Sequence, residues 1–152
     1  MPKPGTNTTR GGGGFHHVAL KVSDFDRSVK LYTEIFGFKE KIRWGEQTPQ
    51  ADSRAIMLDV GDGNYLELFA GGLPPKQRRE LKPEEEGPML HMAFRSGNVD
   101  ACVARARQHG LPITMEPADI NIPSTPGPTP VRIAFCKGYD GEVIEFFQNE
   151  LT

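Results

Sequence analysis

Long apolar runs are missing from this chain of 152 residues, and so is an excess of charge of either sign. No stretch approaches the roughly 18 consecutive apolar residues of a membrane span, and the first residues lack the apolar core of a secretory signal. The net charge of −2 gives no electrostatic reason to expect nucleic acid or an anionic membrane as a partner. Cysteine is scarce: Cys102 and Cys136 stand far apart, form no CxxC pair, and read as reduced thiols of a cytoplasmic protein. What remains is the composition of an ordinary globular domain, 37% hydrophobic and 25% charged. The length suits one domain, or two small modules sharing a core. Seventeen glycines and thirteen prolines require that loops take up much of the chain.

Residues 1–14 (MPKPGTNTTRGGGG) are polar, glycine-rich and aperiodic, which predicts a disordered tail. A strand is expected over 15–22. Ser23 and Asp24 are N-cap candidates for a helix through Phe36, with Val29, Tyr32 and Phe36 at helical spacing and Gly37 as its stop. Strands are expected near 38–45, 54–60 and 65–70, the last two joined by a turn at Asp62 and Gly63. Residues 71–88 form a charged, proline-bounded connection. The order then recurs: a strand over 89–95, a helix over about 98–109, and strands near 111–116, 131–137 and 142–148. The intervening PADINIPSTPGPTP is too rich in proline for a central strand and is expected to be a loop.

The recurrence extends to single residues. HVALK (residues 17–21) matches HMAFR (91–95), and DGNYLELF (62–69) matches DGEVIEFF (140–147). The histidines stand 74 residues apart and the glutamates 78, so the second copy has gained a net four residues between them. Two matches in the same order identify an internal duplication within one α/β domain.

Strand alternation gives these matches a chemical meaning. Val18, Leu20 and Val22 share a face suited to a helix, which leaves His17, Ala19 and Lys21 on the other. His91, Ala93 and Arg95 oppose Leu90, Met92 and Phe94 in the same way. Glu67 and Glu145 each sit inside an otherwise apolar strand, where an unpaired buried carboxylate costs several kcal/mol. Two carboxylates and two imidazoles at matched places are neutralised most simply by a divalent cation, for which these are suitable donors. His17, Glu67, His91 and Glu145 are therefore the candidate metal ligands. His16 is expected on the helix side as a structural residue. His109 fits the last turn of its helix, where the dipole favours it. Cys102 is expected in the core. A two-residue turn at Asp140 and Gly141 would set Cys136 opposite Glu145, although a small core residue is the simpler reading.

HHVALKVSDFDRSVKLYTEIFGF, LHMAF and RIAFCKGYDGEVIEFF together resemble the glyoxalase / bleomycin resistance / extradiol dioxygenase family, the vicinal oxygen chelate superfamily, over Phe15 to Gln148. The resemblance implies an α+β fold of two tandem βαβββ modules, 15–70 and 89–148, joined by loop 71–88 into one domain over 15–148. Their curved mixed sheets would enclose a metal cavity. It also implies metal ligands at the first and last strands of each module, which are the same four residues. Among the family's branches the full His/Glu/His/Glu set resembles glyoxalase I, and histidine at the first position resembles the nickel- or cobalt-preferring type; zinc is the other ion expected.

By that resemblance the reaction is proton abstraction alpha to a carbonyl with a metal-stabilised enediolate, and Glu145 is the catalytic base. Lys21, Arg95 and Arg132 are candidate anchors for an anionic substrate. Glutathione-using glyoxalases carry arginine four residues after the first ligand and asparagine four after the second; here those positions hold Lys21 and Gly71. Two other readings share the site: an epimerase of an acyl thioester such as methylmalonyl-CoA, and a resistance-type protein that binds a small ligand without catalysis. A homodimer is expected, since such proteins commonly pair, with a small molecule as the substrate.

Overall fold

A computed structural model of the chain describes residues 15–79 and 89–149. The predicted N-terminal tail and the second half of the charged connection, residues 80–88, lie outside the described residues. The chain divides into two compact units, residues 1–78 and 79–152.

In the first unit, β1 (His17–Lys21) leads into α1 (Phe25–Lys30), followed by β2 (Lys39–Trp44), β3 (Ala55–Asp59) and β4 (Tyr65–Phe69). The sheet order is β1-β4-β3-β2, with β1 parallel to β4 and the other pairs antiparallel. Asp24 caps α1, its carboxylate accepting the Arg27 amide at 3.0 Å. The helix widens into a π-helical turn over Leu31–Ile35, where the Phe36 amide reaches back to the Leu31 carbonyl. That widening shifts the buried stripe to Phe25, Ser28, Leu31, Tyr32 and Ile35, whereas Val29 and Phe36 are half-buried. The helix lies against β4. The core beneath it is built from Ile56, Leu58, Leu66 and Leu68, all almost fully buried.

The second unit repeats the plan with β5 (Met92–Arg95), α2 (Val99–Gln108), β6 (Ile113–Ile122), β7 (Thr129–Lys137) and β8 (Val143–Gln148). Its sheet order, β5-β8-β7-β6 with β5 parallel to β8, is that of the first unit. Asn98 caps α2 through the Ala101 amide, and α2 lies against β6, β7 and β8. The duplication read from residues is thus a duplication of topology.

Two expectations change. The proline-rich segment is not a loop throughout: β6 runs on to Ile122, and β7 begins at Thr129. Pro117 is tolerated because β6 is an edge strand and the register slips between Met115 and Ala118, so no ladder hydrogen bond is demanded of it. The hairpin turns are also longer than an Asp-Gly pair. Asp59 pairs with Tyr65 and Lys137 with Val143, leaving loops of equal length at 60–64 and 138–142.

Candidate metal centre

The parallel pairing of β1 with β4 sets His17 beside Tyr65 and Ala19 beside Glu67. Glu67 is therefore two residues along from the partner of His17, on the same face, and long side chains at that diagonal can meet. They do: His17 Nε2 stands 3.6 Å from Glu67 Oε2. In the second unit Ala93 pairs with Glu145, and His91, one residue before β5, places Nε2 at 2.9 Å from Glu145 Oε2. Side-chain exposures match as well as distances: 39% and 37% for the two imidazoles, 12% and 9% for the two carboxylates. Each unit thus holds a nearly buried carboxylate with an imidazole at its solvent side.

The surroundings are apolar. Met57 lies across from Glu67 on β3, and Phe135 lies across from Glu145 on β7. Phe135 also meets the His91 ring edge-on, with centroids 5.5 Å apart. Burial pushes the Glu145 carboxyl above its ordinary range, and the neighbouring His91 pulls partly the other way. Two donors on one ion at about 2.1 Å stand roughly 3.0–3.4 Å apart, and the two His–Glu pairs bracket that spacing. The donor chemistry and the spacing of each pair fit a divalent ion. Among the described residues no group of three or more such donors gathers, so each unit offers two.

Phe135 is the wall residue that sequence reasoning missed. A two-residue turn would have set Cys136 opposite Glu145; the longer turn moves the register by one, and a one-residue slip exchanges faces. Cys136 instead pairs with Ile144 in the core, where burial pushes its thiol up to about 12. Cys102 is only half-buried, with Sγ 3.2 Å from Ser96 Oγ. His16 does not turn to the helix side. Its ring packs 5.1 Å from both the His17 and the Tyr65 rings, beside the candidate ligand.

The three candidate anchors part company. Lys21 pairs with Phe69, and Arg95 with Phe147, which puts both cations on the strand face that carries the glutamates. Arg132 pairs with Gln148 on the opposite face and is held by Asp100 at 2.6 Å and Asp119 at 3.0 Å. Those carboxylates raise its pKa further and take up its fork. Lys21 lines a cleft of about 430 Å³ with Ala19, Asp52, Ser53, Arg54 and Phe69. Arg54 in that wall is a fixed strut, bonded to Asp52 and Asp26 and lying 4.8 Å over the Phe25 ring. Gly71 lies beside Lys21: its φ is +83°, and a Cβ there would lie 3.7 Å from Lys21 Cε.

The family model described as the Glyoxalase/Bleomycin resistance protein/Dioxygenase superfamily matches residues 14–146. A 2-epi-5-epi-valiolone epimerase from Actinomyces sp is 30% identical over 69% of this chain and 64% of its own length. The lactoylglutathione lyase of Haemophilus influenzae is 28% identical over 90% of this chain and 93% of its own. Among solved structures, the fosfomycin resistance protein FosX from Listeria monocytogenes, complexed with Mn(II) and sulfate, aligns with a TM-score of 0.62 at 18% identity. That alignment covers 91% of this chain and 93% of FosX, and it supports the fold.

Proposed function

The chain belongs to the Glyoxalase/Bleomycin resistance protein/Dioxygenase superfamily, and from that premise we propose a metal-dependent lyase or isomerase of the glyoxalase I type. It moves a proton from a carbon alpha to a carbonyl to the neighbouring carbon. The observation that carries this reading is the buried Glu145 carboxylate, held 2.9 Å from His91 and matched in the first unit by Glu67 beside His17. In this proposal His17, Glu67, His91 and Glu145 are the ligands of a divalent ion, nickel, cobalt or zinc. Bound there, the ion supplies a Lewis-acid charge beside the substrate oxygens. The lyase relative and the Mn(II) complex of FosX lend support.

The chain's own residues do the rest. Glu145 takes the C–H proton on its carboxylate. The proton that it takes is then given up to the adjacent carbon. Phe135, the cross-strand partner of Glu145, walls the base. Lys21 and Arg95, on the glutamate-bearing faces, are the proposed anchors for an anionic tail. Arg132, already tied to two carboxylates, is left out of that set. An epimerase is the second reading, favoured by the epimerase relative, and it uses the same proton abstraction.

The test is an assay of metal-loaded protein on hemithioacetals of 2-oxoaldehydes with several thiols, and on acyl thioesters. Turnover is expected, and Glu145→Gln should lower kcat by about 10²–10⁴-fold. Ligand binding without turnover on every substrate, unaltered by Glu145→Gln, would support the binding-protein reading instead.

A further inference from the structure

His16 Nδ1 lies 2.8 Å from His17 Nδ1. Two imidazole nitrogens can bond at that distance only if one carries the proton and the other presents a lone pair. The other nitrogen of His17, Nε2, is the one turned toward Glu67. To offer a lone pair there His17 must keep its proton on Nδ1, and that proton needs an acceptor. Nδ1 of His16 is placed to accept it.

The position of His16 is built in. Its carbonyl accepts the Tyr65 amide at 2.8 Å, which ties residue 16 to β4, the strand that carries Glu67. Its ring leans on the Tyr65 ring, so the acceptor nitrogen is held by both backbone and side-chain contacts. The second unit lacks this device. The residue before His91 is Leu90, which has no acceptor, and His91 is oriented by the Phe135 ring and by the 2.9 Å contact to Glu145.

We infer that His16 is a positioning residue for one half of the site: it fixes the tautomer and ring rotation of His17 so that Nε2 is free to bind a metal. The inference rests on the proposed metal function for its purpose, but not for its test. A ligand imidazole held by a hydrogen bond at its other nitrogen binds metal more tightly, and loss of such a partner costs about 10–100-fold in affinity.

The first readout is the tautomer itself, by nitrogen-proton correlation spectroscopy of metal-free, histidine-labelled protein at mildly alkaline pH. His17 should be protonated on Nδ1 in the native chain and a mixture of tautomers in His16→Phe, which keeps an aromatic ring against Tyr65. His16→Asn, whose amide oxygen can accept, should restore the native form. Leu90→Ala should leave the His91 tautomer unchanged. The second readout is the Kd for zinc or nickel by chelator competition: weaker by about 10–100-fold in His16→Phe, largely recovered in His16→Asn, with thermal midpoints of the metal-free variants showing that each is folded. An unchanged His17 tautomer in His16→Phe, or equal metal affinities for the Phe and Asn variants, overturns the inference. A native chain that binds no metal would remove the proposed function while the tautomer measurement still decides this one.

Discussion

Lys21 and Gly71 occupy the two positions at which a glutathione tail would be held in glyoxalases of the resembling type, and their surroundings bear on the substrate. Lysine keeps a charge but has no bidentate fork. Gly71 has a left-handed backbone, at φ +83°, so a side chain there is strained before it meets any ligand. A site built for buried polar partners loses about 1–3 kcal/mol for each one left unmade. Two such losses amount to roughly two to three orders of magnitude in kcat/KM. The glutathione hemithioacetal of methylglyoxal should therefore be a poor substrate of the metal-loaded protein, surpassed by an adduct of another thiol or by an acyl thioester. A kcat/KM of about 10⁶ M⁻¹s⁻¹ or more with that adduct would mean that other side chains hold the tail. The four ligand candidates were legible because polar residues in apolar strands stand out and because the duplication presented them twice. Phe135 was not: an apolar residue in an apolar strand carries no signal until the register is known.

Register is set by turns, and that is where element-level reading reached its limit. An Asp-Gly pair signals a hairpin but not its length. The loops at 60–64 and 138–142 close one register step away from a two-residue turn, which exchanges the faces of Phe135 and Cys136. The π-helical turn after α1 was equally hidden, because one extra residue in a turn displaces the buried stripe without breaking the apolar pattern. The proline argument failed at β6 because it holds for central strands, and sheet order is a tertiary property. By contrast, the cap at Asp24, one of the two candidates at that helix start, follows directly from local chemistry. One element-level feature is sharply testable. Gly45, which follows β2, has φ +75°, and a Cβ there would stand 2.0 Å from the Ser53 carbonyl oxygen. Gly45→Ala combines left-handed strain with a backbone clash and should cost at least about 2 kcal/mol, lowering the thermal midpoint by about 4–8 °C. A variant that melts with the native protein would show that this connection gives way more easily than its geometry implies.

At the scale of the whole molecule, each unit carries one His–Glu pair and a four-stranded sheet with two edge strands. β2 is solvent-exposed along its length, with Ile42 at 53% and Trp44 at 38% exposure. An edge with large apolar side chains and no further partner strand among the described residues calls for a cover, and we propose that the protein works as a homodimer. Sedimentation at micromolar concentration should give twice the mass of 16.8 kDa; a monomer would count against the dimer without touching the metal proposal. None of the helices among the described residues is long and apolar enough to cross a membrane. The central proposal is that His17, Glu67, His91 and Glu145 are the ligands of one divalent ion per chain. Its most direct test is a titration of the metal-free protein with zinc or nickel, read for stoichiometry and Kd in the native chain, His17→Ala and His91→Ala. About one ion per chain is expected, with a loss of at least about 100-fold in affinity in either variant. Two ions per chain, or a His91→Ala protein that binds as tightly as the native one, would contradict it.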